Sequence, residues 1–112
     1  MKIENIELHY LSMPEILDEA DGSQDALIVK VEAGGFVGWG ECEASPLTSI
    51  ANFICPKSHS AANPIRDSVI NQNINDLNDV KKIKVVLLML PQFMVFKLFQ
   101  IVFLIQLQSM EL

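Results

Sequence analysis

The sequence is poor in cysteine, in tryptophan and tyrosine, and in basic residues, and these shortages exclude several classes of protein. Its 112 residues include two cysteines, one tryptophan and one tyrosine. Two cysteines cannot form a disulfide framework, and no CxxC or His/Cys spacing typical of a zinc site occurs. Eight basic and 14 acidic residues give a net charge of -6, so the electropositive patch of a nucleic-acid-binding protein is missing.

The beginning of the chain lacks the apolar core of a secretory signal. Glu4 and Glu7 lie where that core would have to be. Cys42 and Cys55 are expected to be reduced thiols, and we interpret Cys55 as a small buried side chain. These features predict a cytoplasmic protein.

Three segments have the pattern of β-strands. Residues 2–11 alternate between apolar and polar side chains, and residues 26–33 and 36–41 are rich in β-branched, aromatic and apolar types. Gly34-Gly35 lies between the second and third segments. Because glycine adopts the positive φ of tight hairpin turns, this pair predicts a β-hairpin.

Helical signals follow the three strands. Ser45-Pro46 suits the start of a helix, and Leu47, Ile50 and Ile54 follow at helical spacing. Another short helix is expected after Asn63-Pro64. The segment 76–79, with its two aspartates, is typical of the start of a third helix. Strands followed by helices predict an α+β fold built on a three-stranded antiparallel meander.

Residues 35–41 form the pattern G-x-x-G-x-G-E, and the order of segments around them is specific. They follow the strand Leu-Ile-Val-Lys-Val-Glu at 27–32 and precede further short matches, which are Ser45-Pro46, residues 53–60, Pro64, residues 67–69 and Asp79-Val80. This ordered set resembles the opening of mandelate racemase and muconate lactonizing enzymes of the enolase superfamily. The resemblance covers residues 1 to about 83, or three quarters of the chain.

The resemblance implies a capping domain of three strands and a helical bundle over a (β/α)-barrel. In such enzymes the barrel holds Mg²⁺ through three carboxylates and carries Lys or His bases that remove a proton α to a carboxylate. The substrate would be a small carboxylate such as an acid sugar, undergoing racemisation, dehydration or cycloisomerisation. The barrel is absent here, so we expect no catalytic residue, no metal ligand and no cofactor in this chain.

Two cap loops contribute to the substrate pocket in the family that the chain resembles. Here they correspond to residues 12–25 and to the segment that begins at Glu41. Glu41 is the foremost pocket candidate because it ends the G-x-G-E motif. The other candidates are Glu43, Ile16, Asp18 and His59. For Glu41 the competing interpretation is a solvent-facing or salt-bridged carboxylate at the end of a strand, and for His59 it is a surface side chain.

Trp39 and the acidic residues of the first loop have simpler interpretations. Trp39 is expected in the core or at a domain interface. Glu15, Asp18, Glu19, Asp21 and Asp25 do not have the spacing of an EF-hand. We therefore expect a solvated loop and no Ca²⁺ site there.

The sequence changes character near residue 84, which divides it into a cap at 1–83 and an apolar tail at 84–112. Beyond residue 84 the only charged side chains are Lys97 and Glu111, and twenty of residues 85–112 are apolar. The tail is expected to be helical. It resembles neither the family sequence nor an amphipathic helix.

Three explanations compete for this tail. A shift of reading frame would account for the abrupt change, the lost resemblance and the missing barrel together. A membrane-spanning helix is opposed by Lys97, which costs about 3 kcal/mol at a helix centre. The third explanation is a helix that packs on a partner chain.

We expect the isolated chain to self-associate through the tail. Burial of one large apolar side chain is worth about 1.5–3 kcal/mol, and an 83-residue cap cannot cover twenty of them. Light scattering in dilute buffer measures this directly. A monodisperse monomer would contradict the expectation.

Overall fold

The computed structural model describes residues 1–15, 17–19, 25–42, 46–57, 64–76, 78–79, 81–82 and 92–110, with the side chains of the last range described from residue 100. Its strands are β1 (Ile3–Leu11), β2 (Ala26–Ala33) and β3 (Phe36–Cys42), and they are followed by the helices α1 (Pro46–Ile54), α2 (Ile65–Val69) and α3 (Gln92–Met110). This order confirms the predicted α+β fold with a helical tail.

The strands form one antiparallel sheet in the order β1-β2-β3. The register places Leu8 opposite Val29, and Val29 opposite Gly40. Gly34 and Gly35 join β2 to β3 with φ of 56° and 84°. Positive φ at both central residues is what the favoured two-residue hairpin turn requires, so the predicted hairpin is confirmed.

The sheet has one buried face and one exposed face. On β2 the alternate residues Leu27, Val29, Val31 and Ala33 are fully buried, and Ile3 of β1 joins them in the core. The residues between them point to the opposite face. The helices cover the buried face, which we call the inner face of the sheet.

Helix α3 packs on β3 and β2 through side chains that contact two glycines. A Cβ added to Gly38 would lie 2.5 Å from Ile101 Cγ2 and 2.9 Å from Ile105 Cδ1, and one added to Gly40 would lie 2.7 Å from Ile101 Cδ1. Ile101 and Ile105 are buried in the common core. The glycines of β3 therefore leave the space that the helix fills.

Helix α3 of the apolar tail thus packs on the chain's own sheet, which the sequence pattern did not predict. Across the described ranges, no helix is long and apolar enough to cross a membrane. The boundary between residues 83 and 84 lies outside the described residues, so the division into cap and tail stays a prediction.

Helices α1 and α2 complete the core and return the chain to the sheet. Phe53 of α1 and Ile65 and Val69 of α2 are buried. After α2, the Asn71 N–H donates to the carbonyl of Ile3 at 2.8 Å, and the Ile3 N–H donates to the carbonyl of Gln72 at 3.0 Å. These bonds tie the chain after α2 to the start of β1.

The third helix start that the acidic pattern predicted has the expected cap. The Asp76 carboxylate accepts the backbone N–H of Asn78 at 2.7 Å and of Asp79 at 2.9 Å. Residues 78–79 and 81–82 are helical. A side-chain oxygen that binds the first free amides is the usual way to begin a helix.

The burial prediction for Cys55 was wrong, and that for Trp39 was wrong for the core alternative. Trp39 is 56% exposed and lies outside the core, because the glycines on either side of it occupy the inner face and alternation turns Trp39 outward. Its alternative location at a domain interface stays a prediction. Cys55 is exposed because it follows the last residue of α1, whereas Cys42 is buried.

We expect Gly38→Ala to destabilise the fold by about 1–3 kcal/mol, the usual cost of overpacking a core. The new methyl group would meet the stiff β-branched Cγ2 of Ile101 at 2.5 Å. Urea unfolding followed by circular dichroism measures the change. The double variant with Ile101→Ala should be less destabilised than the sum of the two single variants, and strict additivity would contradict the contact.

Gln106 should lower the free energy of unfolding of the chain. Its Oε1 is buried and accepts no hydrogen bond from the described residues. An unpaired buried acceptor costs about 1–3 kcal/mol. We therefore expect Gln106→Met, which keeps the length of the side chain, to stabilise the chain by about 1 kcal/mol in urea unfolding. The exposed Gln108 of the same helix is the matched control, and Gln108→Met should change little. A loss of stability in Gln106→Met would contradict this.

Candidate functional site

Two loops leave the sheet at the same end. Leu11, the last residue of β1, pairs with Ala26, and Cys42, the last residue of β3, pairs with Leu27. Because β1 and β3 run in the same direction on either side of β2, the segments that follow them start beside each other. We call this part of the molecule the loop end of the sheet.

The structure locates two of the five pocket candidates. Glu41 is exposed near the end of β3, opposite Ile28, and shares the outer face with Trp39. Asp18 is exposed in the segment after β1. Ile16, Glu43 and His59 lie outside the described residues. Their predicted roles, like those of Glu41 and Asp18, stay predictions.

Asp25 ties the chain that leaves β1 to the start of β2. Its Oδ1 accepts the backbone N–H of Met13 at 2.9 Å, and its Oδ2 accepts the hydroxyl of Tyr10. The Tyr10 hydroxyl, and then the Met13 amide, hold the pKa of Asp25 below its usual range. The same hydrogen bond from the hydroxyl to the carboxylate raises the pKa of Tyr10.

Sequence analysis missed this contact because it assigned Asp25 to a solvated acidic loop. The signal was present in the strand pattern, since Asp25 immediately precedes β2 and Tyr10 is close to the end of β1. Antiparallel pairing brings two such positions together.

The second loop also has a fixed base. Cys42 ends β3 and is buried, and its Sγ lies 3.5 Å from the hydroxyl oxygen of Ser49, which is buried on α1. This contact joins the strand before residues 43–45 to the helix after them. Each loop is therefore held by a contact between a residue near its start and a residue near its end.

Large apolar side chains are exposed at the end of β1, in the segment after it and at the start of α1. They are Leu11, Met13, Leu17 and Leu47. The loop end thus has exposed apolar side chains as well as the carboxylate of Glu41.

The outer face of the sheet carries a set of polar and aromatic contacts. Lys30 Nζ lies 3.3 Å from Glu7 Oε1 and 5.7 Å from the centre of the Trp39 ring, and it also pairs with Glu32. The His9 and Trp39 ring centroids are 5.9 Å apart. The bond with Glu32 raises the pKa of Lys30, and Lys30 lowers that of Glu32.

A groove of about 400 Å³ lies on another side of the molecule, between β1, α1 and α2. Apolar side chains such as Ile6 and Phe53 line it, with Glu4 and Arg66 among its polar members. None of the predicted pocket residues belongs to its lining.

The described residues contain no group of three His, Cys, Asp or Glu side chains that could hold a metal ion. This holds also for Asp18 and Asp25, which are acidic residues of the first loop. A divalent cation needs several such oxygen ligands converging on one point. The described part of this chain therefore does not fit a magnesium ion.

Glu32 should contribute to the acid sensitivity of the fold. Its pKa is lower in the folded state than its ordinary value of 4.5, chiefly through Lys30. The stabilisation of the folded state by ionised Glu32 is thus present above pH 4.5 and is lost as the pH falls through the pKa that Glu32 has in the folded state. We expect Glu32→Gln to flatten the fall of the urea midpoint between about pH 6 and pH 3.

The control for this prediction is Glu4→Gln, a change at an exposed carboxylate on β1. It should leave the steepness of the acid limb unchanged. Equal steepness in the wild type and Glu32→Gln would show that the Lys30 contact does not stabilise the folded state.

Comparisons with known proteins agree with this architecture. The chain is similar to a solved structure described as a predicted mandelate racemase from Rhodobacter sphaeroides, with 45% sequence identity and a TM-score of 0.84. The match covers 97% of this chain and 29% of that chain. No family model matches the sequence, and no curated protein matches it.

Proposed function

Because the chain belongs to the enolase superfamily as a mandelate racemase-like N-terminal capping domain, we propose that it shapes the substrate pocket of a mandelate racemase or muconate lactonizing-type enzyme. The observation that supports this proposal is the shared loop end of the sheet, where two segments with anchored bases start beside each other. A cap that closes over a barrel needs such loops in a fixed relation.

The proposed reaction begins with removal of a proton α to a carboxylate. The substrate class is a small carboxylate such as an acid sugar, and the outcome is racemisation, dehydration or cycloisomerisation. The bases and the magnesium ion are proposed to belong to a barrel domain, because the described residues do not fit the metal. The chain itself contributes enclosure and recognition.

Recognition is proposed to rest on the loop end. The exposed carboxylate of Glu41 is suited to accept hydrogen bonds from substrate hydroxyl groups. The apolar side chains of Leu11, Met13 and Leu47 would pack against the barrel rim and exclude water. The remaining candidates, Ile16, Asp18, Glu43 and His59, stay in this proposal as loop residues. The proposed compartment is the cytoplasm.

A second candidate role, compatible with the first, is self-association without activity. Leu104, Leu107 and Met110 are exposed on α3 although the opposite side of that helix packs on the sheet. An apolar helix surface of this kind favours contact with another copy of the chain.

The test is a chimera in which this chain replaces the matching 29% of the Rhodobacter sphaeroides neighbour. We expect the chimera with Mg²⁺ to exchange the α-proton of a carboxylate substrate in D₂O, measured by proton NMR, and the isolated chain not to. Exchange by the isolated chain would overturn the assignment of the bases to the barrel. A chimera that folds but fails with every acid sugar tested would contradict the capping role.

Glu41→Ala in that chimera should raise KM by about tenfold or more with a smaller effect on kcat, because a recognition contact is lost. The matched control is Asp67→Ala, at an exposed carboxylate on α2 away from the loop end. Equal kinetic constants for the Glu41 and Asp67 variants would remove Glu41 from the pocket.

A further inference from the structure

One carboxylate fixes the direction in which the chain leaves β1. Asp25 immediately precedes β2, and it uses each of its two oxygens for a different donor on the β1 side. Oδ2 accepts the Tyr10 hydroxyl, and Oδ1 accepts the Met13 N–H at 2.9 Å. A carboxylate held at both oxygens has a defined orientation, and so do the groups that it binds.

We propose that Asp25 is a positioning residue that holds the first residues of the loop after β1 against the start of β2. The importance of this role for substrate recognition rests on the proposed function, because that loop is one of the two at the loop end. Met13 is only two residues beyond β1, so a bond to its amide sets where the following residues begin.

The contact depends on the ionised form of Asp25. Tyr10 and Met13 both donate, and a protonated carboxyl group would lose one of its two acceptors. The tie therefore consists of one carboxylate and two neutral donors, the Tyr10 hydroxyl and the Met13 amide.

Removal of the carboxylate would free the segment that leaves β1. Tyr10 is part of β1 and would keep its backbone pairing with Leu27. Among the described residues, the Met13 backbone N–H donates only to Asp25. Loss of the Asp25 carboxylate would thus alter the loop after β1 and leave the sheet intact.

Titration of the tyrosine tests this directly, because Tyr10 is the only tyrosine in the chain. We expect the phenolate absorbance of the full chain to show a pKa above the ordinary 10.0, since the neighbouring carboxylate opposes ionisation. In Asp25→Asn and in Asp25→Ala the pKa should return towards 10.0. Asp67→Asn, at an exposed carboxylate remote from Tyr10, should leave it unchanged.

Amide hydrogen exchange measured by NMR gives the second readout. We expect exchange at Met13 to become about tenfold faster or more in Asp25→Ala, with the amides paired between β1 and β2 unchanged. In Tyr10→Phe the Met13 amide should stay protected, because its own bond to Oδ1 remains. An unshifted tyrosine together with unchanged Met13 exchange in Asp25→Ala would overturn the proposal.

These measurements need neither substrate nor barrel, so the two proposals can fail separately. A tyrosine pKa and a Met13 exchange rate that both fail to respond to Asp25 refute the tie whatever the chimera does. A responsive tyrosine beside a folded, inactive chimera refutes the capping function and supports the tie between Asp25, Tyr10 and Met13.

Discussion

The packing of α3 on Gly38 and Gly40 is the contact on which the rest of the fold depends. Three strands alone would expose the whole inner face, and an isolated small sheet is at best marginally stable in water. Ile101 and Ile105 fill the space above the two glycines and complete the core. Each buried side chain of this size contributes about 1.5–3 kcal/mol, so the helix makes a large part of the difference between a folded and an unfolded sheet.

Strand β3 contributes to both the core and the loop end because its residues alternate between the two faces of the sheet. Gly38 and Gly40 receive the helix on the inner face, whereas Trp39 and Glu41 belong to the outer face and to the loop end. The G-x-x-G-x-G-E pattern, which carries the resemblance to the enolase superfamily, therefore serves to pack β3 against α3. Glu41, the last residue of the pattern, lies on the strand that the two glycines join to α3. The packing of the core therefore positions this candidate pocket residue.

The sequence predicted the local elements well because local patterns determine them. Alternation defined the strands, Gly34-Gly35 defined the hairpin, and Asp76 marked a helix start. Prediction failed for Cys55, whose type is commonly buried, and for the core alternative of Trp39. Burial depends on which face the neighbours occupy. For the candidate site, the two pocket loops were expected from the resemblance to the family, and Glu41 was named from its motif alone.

By itself, the sequence determined the α+β class, the order of the strands and the family, because these follow from periodicity, turn chemistry and an ordered set of motifs. Only the tertiary structure decided which surface the helix of the tail covers and that the side chains of Asp25 and Tyr10 meet. Strand pairing brings Asp25 near Tyr10, but the hydrogen bond between them depends on their side-chain conformations. The contact of Ile101 with Gly38 joins residues whose separation along the chain carries no periodic signal. It arises from the way the sheet and helix pack, and that packing is fixed only when the whole core forms.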